Sequence, residues 1–276
     1  MHPTLVHLGP LTLHSYGLAL AISFFLGILL ATRRGATRGM HSDLVFDTSL
    51  VIVFASVIGA RLMYVVFHWG DDLHSLVDVV SLWNGGLTMY GGVLAAMGAA
   101  WLYLRRRQVA FLRMADVVAP SLGLGLALTR VGCFLNGCCY GKPTHGPLGI
   151  VFPPDSLVHT SLGGVPIHPT QLYSSATGVV ILVALLVFDR VRRADGQVFA
   201  LYLLLDAAGR FVLDSWRYYE PNAYLWPGGP TVNQAICVGL FGLGLLLLAR
   251  SRRAVVSGVP VTADPQARPA VMPEAR

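Results

Sequence analysis

The sequence is poor in charged residues. Asp, Glu, Lys and Arg make up 12% of its 276 residues, whereas apolar residues make up 54%; a soluble domain carries about 25% charged residues. A normal water-exposed surface is therefore excluded, and the apolar excess predicts a protein that faces lipid. The net charge of +6 comes in short clusters between apolar stretches. That pattern excludes a nucleic-acid-binding face and is typical of the loops that orient membrane proteins.

Cysteine is also scarce. Four cysteines are too few for a disulfide scaffold, and the spacing of Cys133, Cys138 and Cys139 lacks the second ligand pair of a zinc site. We therefore expect neither a metal nor a cofactor. A disulfide on an oxidising outer face is one alternative, and buried free thiols, which we favour, are the other.

Two further features are missing. No internal repeat is visible, which argues against a transporter built from paired halves. Residues 1–10 lack a basic n-region and a small-residue cleavage site, so the first apolar segment is expected to remain as a span.

The apolar segments predict an all-α fold. About 20 apolar residues cross a bilayer as a helix, and seven segments approach that length: 16–32, 50–67, 87–104, 114–128, 172–188, 198–213 and 232–248. The fourth is the weakest, because it is rich in glycine and contains Asp116 and Pro120. We predict a polytopic bundle of seven transmembrane helices.

The loop charges predict the orientation of this bundle. Basic clusters follow every odd-numbered span, whereas the exits of the even-numbered spans carry few Lys or Arg. The four clusters are Arg33, Arg34 and Arg38 after the first span, Arg105, Arg106, Arg107 and Arg113 after the third, Arg190, Arg192 and Arg193 after the fifth, and Arg250, Arg252 and Arg253 after the seventh. The positive-inside rule then places the N-terminus outside and the C-terminus inside. We expect a single membrane domain over residues 1–253, with an outer-face segment at about 131–171, and a disordered cytoplasmic tail over 254–276.

Three arginines interrupt the apolar segments, which is costly in a membrane. Arg61 lies inside the second span, Arg130 ends the fourth, and Arg210 lies near the outer end of the sixth. One interpretation is snorkelling or structural ion pairing, for example a helical ladder of Arg210, Asp214 and Arg217. The other is a cluster that binds a phospholipid headgroup, because the planar, permanently charged arginine fork suits phosphate.

Five motifs, in order along nearly the whole chain, resemble the bacterial phosphatidylglycerol–prolipoprotein diacylglyceryl transferases. The central one is Thr129-Arg-Val-Gly-Cys-Phe-Leu-Asn-Gly-Cys-Cys-Tyr-Gly141, which is similar to the family segment around its essential arginine and asparagine. The other four are Gly59-Ala-Arg-Leu-Met-Tyr64, Asn84-Gly-Gly-Leu-Thr-Met-Tyr-Gly-Gly92, His168-Pro-Thr-Gln-Leu-Tyr173 and Arg210-Phe-Val-Leu-Asp-Ser-Trp-Arg217.

The resemblance implies an enzyme of the bacterial inner membrane. It would transfer the diacylglyceryl group of phosphatidylglycerol to the lipobox cysteine thiol of a preprolipoprotein, with membrane lipid around it and no nucleic-acid partner. Carried over residue by residue, Arg130 and Arg210 would bind the headgroup and stabilise the departing phosphate, and Tyr90 would take the third catalytic position. The implied substrate-binding residues are Tyr16, Arg61, Asn136, Gly137, His168, Gln171, Asp214, Arg217 and Gln234.

The chain departs from the family pattern at three places. Tyr90 stands where the best-studied branch has a histidine before Gly-Gly, Ser174 replaces an acidic residue, and Gly137-Cys-Cys-Tyr140 replaces a Gly-Glu-Leu-like stretch. Tyrosine has an ordinary pKa of about 10, so Tyr90 acts either as a strongly activated base or only as a hydrogen-bond donor. The Tyr90 position also keeps open a lipid-binding or lipid-transport protein without chemistry. A small-molecule channel is disfavoured by the missing repeat.

Overall fold

The computed structural model describes residues 4–8, 11–69, 86–154 and 156–256. Residues 257–276, which hold most of the predicted tail, and Trp83, Asn84 and Gly85 of the third-span motif lie outside the described residues.

The described chain forms a helix bundle preceded by a small hairpin. Strands β1 (Thr4–Leu8) and β2 (Leu11–His14) pair antiparallel; the sequence had predicted no strand here. The helices are α1 (Ser15–Thr37), α2 (Ser42–Phe67), α3 (Met89–Arg106), α4 (Phe111–Asn136), the short α5 (Leu157–Leu162), α6 (Thr170–Phe188), α7 (Gln197–Asp214) and α8 (Val232–Val256), with a 3-10 turn at Pro221–Ala223.

The seven long helices coincide with the seven predicted segments. Five of them, α1, α2, α4, α6 and α8, are long and apolar enough to cross a membrane. The other two are less apolar, because α7 contains three charged residues and α3 ends in Arg105 and Arg106. Large apolar side chains on the outside of the bundle, such as Phe25, Phe54 and Val180, are more than 60% exposed. A surface of this kind fits lipid and not water.

Helix α4 lies at the centre and packs against α1, α6 and α7. The prediction that this span stops near residue 128 is wrong, because the helix continues to Asn136, and Arg130 therefore lies inside it. The helix also passes through Pro120, which leaves the carbonyl of Asp116 without its usual helical donor. The Arg34 guanidinium donates to that carbonyl, at 3.4 Å, and to the carbonyl of Val117, at 3.3 Å.

Paired charges hold together one end of the bundle, called the inner end below because the loop charges predict that it faces the cytoplasm. The Asp116 carboxylate, fully buried, accepts hydrogen bonds of 2.8 Å from the backbone N–H groups of Gly196 and Phe199 at the start of α7. Arg34, Arg38 and Arg192 all form ion pairs with Asp189 at the end of α6. The ends of α1 and α6 thus meet the starts of α4 and α7, which is the arrangement expected when successive helices run in opposite directions.

Glycines allow α2 and α3 to approach closely. A Cβ atom at Gly91 would overlap the Gly59 carbonyl oxygen, and one at Gly59 would overlap the Ala95 side chain. Small residues at helix contacts are typical of membrane bundles. The Gly-Gly after Tyr90 therefore has a packing role.

Replacing Gly91 by alanine should destabilise the bundle by about 1–3 kcal/mol through overpacking. The measurement is thermal unfolding of the purified protein in detergent. Gly98→Ala is the matched control, because a Cβ at Gly98, on the same helix, meets no atom within 4 Å. It should leave the unfolding temperature unchanged or slightly higher, since alanine favours helix. Equal unfolding temperatures for the two variants would contradict the packing role.

Candidate headgroup-binding cleft

Three arginines converge at the opposite end of the bundle from these paired charges, called the outer end below because the loop charges predict that it faces outward. A cleft opens there, where the ends of α4 and α7 meet the starts of α6 and α8. Three arginines against one aspartate give this lining an excess of two positive charges. The lining residues are Arg130, Cys139, Thr170, Ser174, Arg210, Leu213, Asp214, Arg217 and Asn233.

The three arginines differ in their partners. Arg210 pairs with Asp206 one turn earlier on α7, with Nε 3.0 Å from a carboxylate oxygen. Among the described residues, neither Arg130 nor Arg217 forms an ion pair with a carboxylate. Nη1 of Arg130 lies 3.9 Å from the sulfur of Cys133, and the Arg217 guanidinium lies over the ring of Tyr219. Two of the three charges are thus available to an anion.

Asp214 does not form the predicted ladder with Arg210 and Arg217. Its buried carboxylate instead accepts three hydrogen bonds from neutral groups: 2.8 Å from the Tyr219 hydroxyl, 3.2 Å from the Thr231 hydroxyl and 2.7 Å from the Asn233 amide. The ladder prediction is wrong because the loop after α7 folds back and supplies donors from a distance in sequence. Asp214 therefore fixes the loop and the start of α8.

Two groups beside the cleft have shifted pKa values. Burial raises the pKa of Tyr219, and its hydrogen bond to Asp214 acts in the same direction. Hydrogen bonds from Cys133 and Cys138 lower the pKa of the Cys139 thiol, and the positive charges of Arg217 and Arg130 add to that effect. The surroundings therefore favour the thiolate of Cys139 and keep Tyr219 as a neutral phenol.

The segment after α4 turns sharply back over the helix end. Gly137 ends the helix with a φ of 73°, in the left-handed region that glycine adopts without strain. The carbonyls of the next two residues are held by the start of α6: Gln171 Nε2 donates to Cys138 at 2.9 Å, and the Thr170 hydroxyl donates to Cys139 at 3.0 Å. These bonds place Asn136 and Gly137 next to the cleft, although neither lines it.

Arg61 lies elsewhere. It is buried in α2 and donates a 2.9 Å hydrogen bond from Nη1 to the Gly86 carbonyl, while its guanidinium lies over the Tyr64 ring. It fixes the entry to α3 and does not line the cleft.

The two predicted tyrosines also lie outside the cleft lining. Tyr16 begins α1 and packs against Gly132 of α4, close to Arg130 in sequence. Tyr90 is 40% exposed at the start of α3. The described part of the chain offers its hydroxyl no hydrogen-bond partner.

His168 and Gln234 have structural contacts at the same end of the bundle. The His168 ring lies against Tyr173 and Trp216. Gln234 Oε1 accepts from the Thr231 backbone N–H while the Thr231 hydroxyl accepts from the Gln234 N–H, which is a capping box at the start of α8.

Some residues that line the cleft were not among the site residues predicted from the sequence. Asn233, next to the predicted Gln234, lines the cleft, as do Thr170, Cys139 and Leu213. Ser174 lines it too, at the position where the sequence comparison had noted a missing acid. The adjacent cysteines inside the central motif were a usable indication that Cys139 belongs to the site.

The cleft has the chemistry of an anion site that opens among apolar helices. Arginine forks hold phosphate oxygens in fixed geometry, and fixed positive charge stabilises negative charge that develops on a leaving group. The surrounding exposed apolar side chains suit acyl chains.

The comparisons with known proteins agree with this chemistry. The family model described as prolipoprotein diacylglyceryl transferase matches residues 3–250. Relatives named phosphatidylglycerol–prolipoprotein diacylglyceryl transferase include one from Nitratidesulfovibrio vulgaris strain Miyazaki F, 37% identical over 91% of this chain and 94% of the relative. Another, from Halalkalibacterium halodurans, is 32% identical over 90% of this chain and 86% of the relative. A third, from Clostridium tetani, is 30% identical over 79% and 86%.

Proposed function

Because the chain belongs to the prolipoprotein diacylglyceryl transferase family, we propose that it transfers the diacylglyceryl group of phosphatidylglycerol to the lipobox cysteine thiol of preprolipoproteins in the bacterial inner membrane. The observation that carries this proposal is the cleft in which Arg130, Arg210 and Arg217 meet.

The reaction needs charge of this kind. The acceptor thiol gives up its proton to water, a carbon–sulfur bond forms between the acceptor sulfur and the glyceryl carbon, the carbon–oxygen bond to phosphate breaks, and glycerol phosphate leaves with the electron pair. Its phosphate gains negative charge as it departs. Arg130 and Arg217, which have no carboxylate partner in the described chain, would neutralise that charge, and Arg210 would hold the headgroup from the α7 side.

The remaining predicted residues support the same cleft in this proposal. Asp214 positions Asn233, and Asn136, Gly137 and Gln171 fix the segment that carries Cys139. Tyr16 and His168 complete the outer end, Gln234 caps α8, and Arg61 orders the entry to α3, where the phospholipid would approach from the membrane.

We assign Tyr90, which stands where one branch of the family has histidine, as a hydrogen-bond donor and not as the base. The side chain is 40% exposed, and no described residue forms a hydrogen bond with its hydroxyl, so no neighbouring group holds it in the position of a base.

Arg130→Ala and Arg210→Ala should each lower the transfer rate at least about 100-fold, the size of effect seen when a fixed donor to a developing anion is removed. The assay uses purified protein, phosphatidylglycerol vesicles and a lipobox peptide, with the thioether product measured by mass spectrometry. Arg105→Ala, at the inner end of α3, is the matched control and should retain normal transfer.

The amount of each variant in the membrane is measured in parallel. Arg210→Ala leaves Asp206 unpaired, which destabilises the fold; Arg130→Ala breaks no described ion pair and is the cleaner test. Near-normal turnover in either variant would contradict the headgroup role. No thioether from well-folded parent protein would overturn the enzyme and favour a lipid-binding protein.

Tyr90→Phe should lower transfer by less than about tenfold, because a single neutral hydrogen bond contributes about 0.5–1.5 kcal/mol. The pH dependence of the rate should not change. Loss of a general base would instead cost about 100-fold to 10,000-fold. A fall of that size with an altered pH profile would identify Tyr90 as the base.

We also propose seven spans with the N-terminus outside, the C-terminus inside and the tail of residues 254–276 in the cytoplasm. The basic ends of α1, α3, α6 and α8 support this orientation. Alkaline phosphatase inserted at Gly146, in the outer segment, should be active, whereas phosphatase fused after Arg276 should be inactive. The opposite pattern would reverse the orientation and place the cleft on the cytoplasmic side.

A further inference from the structure

Three cysteines form a cluster beside the cleft. Cys133 lies in the last turn of α4, and Cys138 and Cys139 follow the turn at Gly137. Their sulfur atoms all lie within 4.8 Å of one another, and all four cysteines of the chain are free thiols. The proposed transferase chemistry above assigns no role to this cluster.

The backbone brings these thiols together at a cost. Cys139 has a φ of 60°, in the left-handed region that is unfavourable for a residue with a Cβ. The hydrogen bonds from Gln171 and Thr170 to the two cysteine carbonyls hold this conformation. A strained backbone that is fixed by its surroundings is common at functional sites.

We propose that Cys133, Cys138 and Cys139 bind one zinc ion, or a divalent ion of the same class, through three thiolates. Soft sulfur ligands select zinc over hard cations. Zinc–sulfur bonds of about 2.3 Å in a tetrahedron place sulfurs about 3.8 Å apart. Small side-chain rotations would bring the three sulfurs to that spacing.

The surroundings suit the charge of such a site. Three thiolates and a divalent ion carry one net negative charge. Arg130, whose Nη1 lies 3.9 Å from the Cys133 sulfur, balances it.

A second observation points to a missing ligand. Gln171 is 1% exposed, and its Oε1 has no hydrogen-bond partner among the described residues. Its Nε2 donates to the Cys138 carbonyl, so the unpaired oxygen belongs to an amide that touches the cysteine segment. Buried acceptors without partners are rare in folded proteins. A water molecule bound to the ion could donate to this oxygen.

A disulfide is the competing state of the same thiols. Adjacent residues have Cα atoms only about 3.8 Å apart, below the usual range of about 4.4–6.8 Å for a disulfide. A Cys138–Cys139 bond is therefore disfavoured, and an oxidised cluster would pair Cys133 with one of the other two.

Three protein ligands leave one coordination position open, as in catalytic zinc sites. Cys139 lines the cleft, so we place this position on the cleft side. A thiol bound there would lose its proton. That consequence rests on the proposed function, since the thiol would be that of the acceptor peptide.

The metal site itself is tested without any activity measurement. Purified protein in detergent is reduced, incubated with zinc, desalted and analysed for metal; we expect about one zinc per chain. Cobalt substitution should give thiolate-to-metal charge-transfer absorption. Cys139→Ser should weaken zinc binding at least 100-fold, and Cys237→Ser, a cysteine of α8 outside the cluster, should not.

Several outcomes would overturn the site. These are a zinc content near zero in the parent protein, full zinc content in Cys139→Ser, or a disulfide at Cys133 in protein isolated with its free thiols alkylated. Cys133 is buried, and its serine variant could fail to fold, so the half-exposed Cys139 carries the decisive substitution. Thermal unfolding checks that each variant is folded.

Transfer is then measured on zinc-loaded and zinc-depleted protein. A large loss on depletion that zinc restores supports activation of the acceptor thiol. Unchanged transfer in depleted protein would overturn that role and leave a structural zinc. Normal transfer by protein that never binds zinc would overturn the metal site and leave the transferase intact, whereas bound zinc without transfer would overturn only the proposed function.

Discussion

The structure of the cleft depends on the hydrogen bonds that one carboxylate accepts. Asp214 is the only acidic residue in the lining of the cleft, and it is fully engaged by the hydroxyls of Tyr219 and Thr231 and the amide of Asn233. Because these donors are neutral, the bonds hold the loop after α7 without neutralising an arginine. If Asp214 paired with Arg217 instead, the cleft would lose part of the charge that makes it an anion site.

Arginines at the two ends of the bundle have different partners. At the inner end, Arg34, Arg38 and Arg192 are paired with Asp189, and Asp116 caps the start of α7. Those contacts join helix ends. At the outer end, Arg130 and Arg217 have no carboxylate partner among the described residues. Holding unpaired charge near a membrane interior is costly, so we interpret the inner network as structural and the outer cluster as functional.

The sequence could predict the helices because their apolar runs are local, and it could predict Arg130 and Arg210 because charge inside an apolar run is conspicuous. It could not predict that α4 passes Pro120 unbroken, since Arg34, 82 residues away from Asp116, compensates the carbonyl that Pro120 leaves free. The same limit applies to Asp214: its nearest basic neighbours in sequence were the obvious partners, yet its actual partners come from the loop and from α8. The sequence did not predict the hairpin, because its two strands are too short to show a recognisable alternation of apolar and polar residues before the long apolar run.

In the proposed reaction, the positive charge of the cleft would activate the acceptor thiol, and a single general base would matter less. In the proposed reaction, the arginines of the cleft would favour the thiolate form of the acceptor, because positive charge stabilises the thiolate. The same charge stabilises the leaving phosphate, so one feature would serve both halves of the reaction. A zinc ion on the three cysteines would act in the same direction and more strongly, because a coordinated thiol is deprotonated outright. On either route the proposed reaction would not need Tyr90 as its base, which is consistent with a hydroxyl that has no hydrogen-bond partner among the described residues.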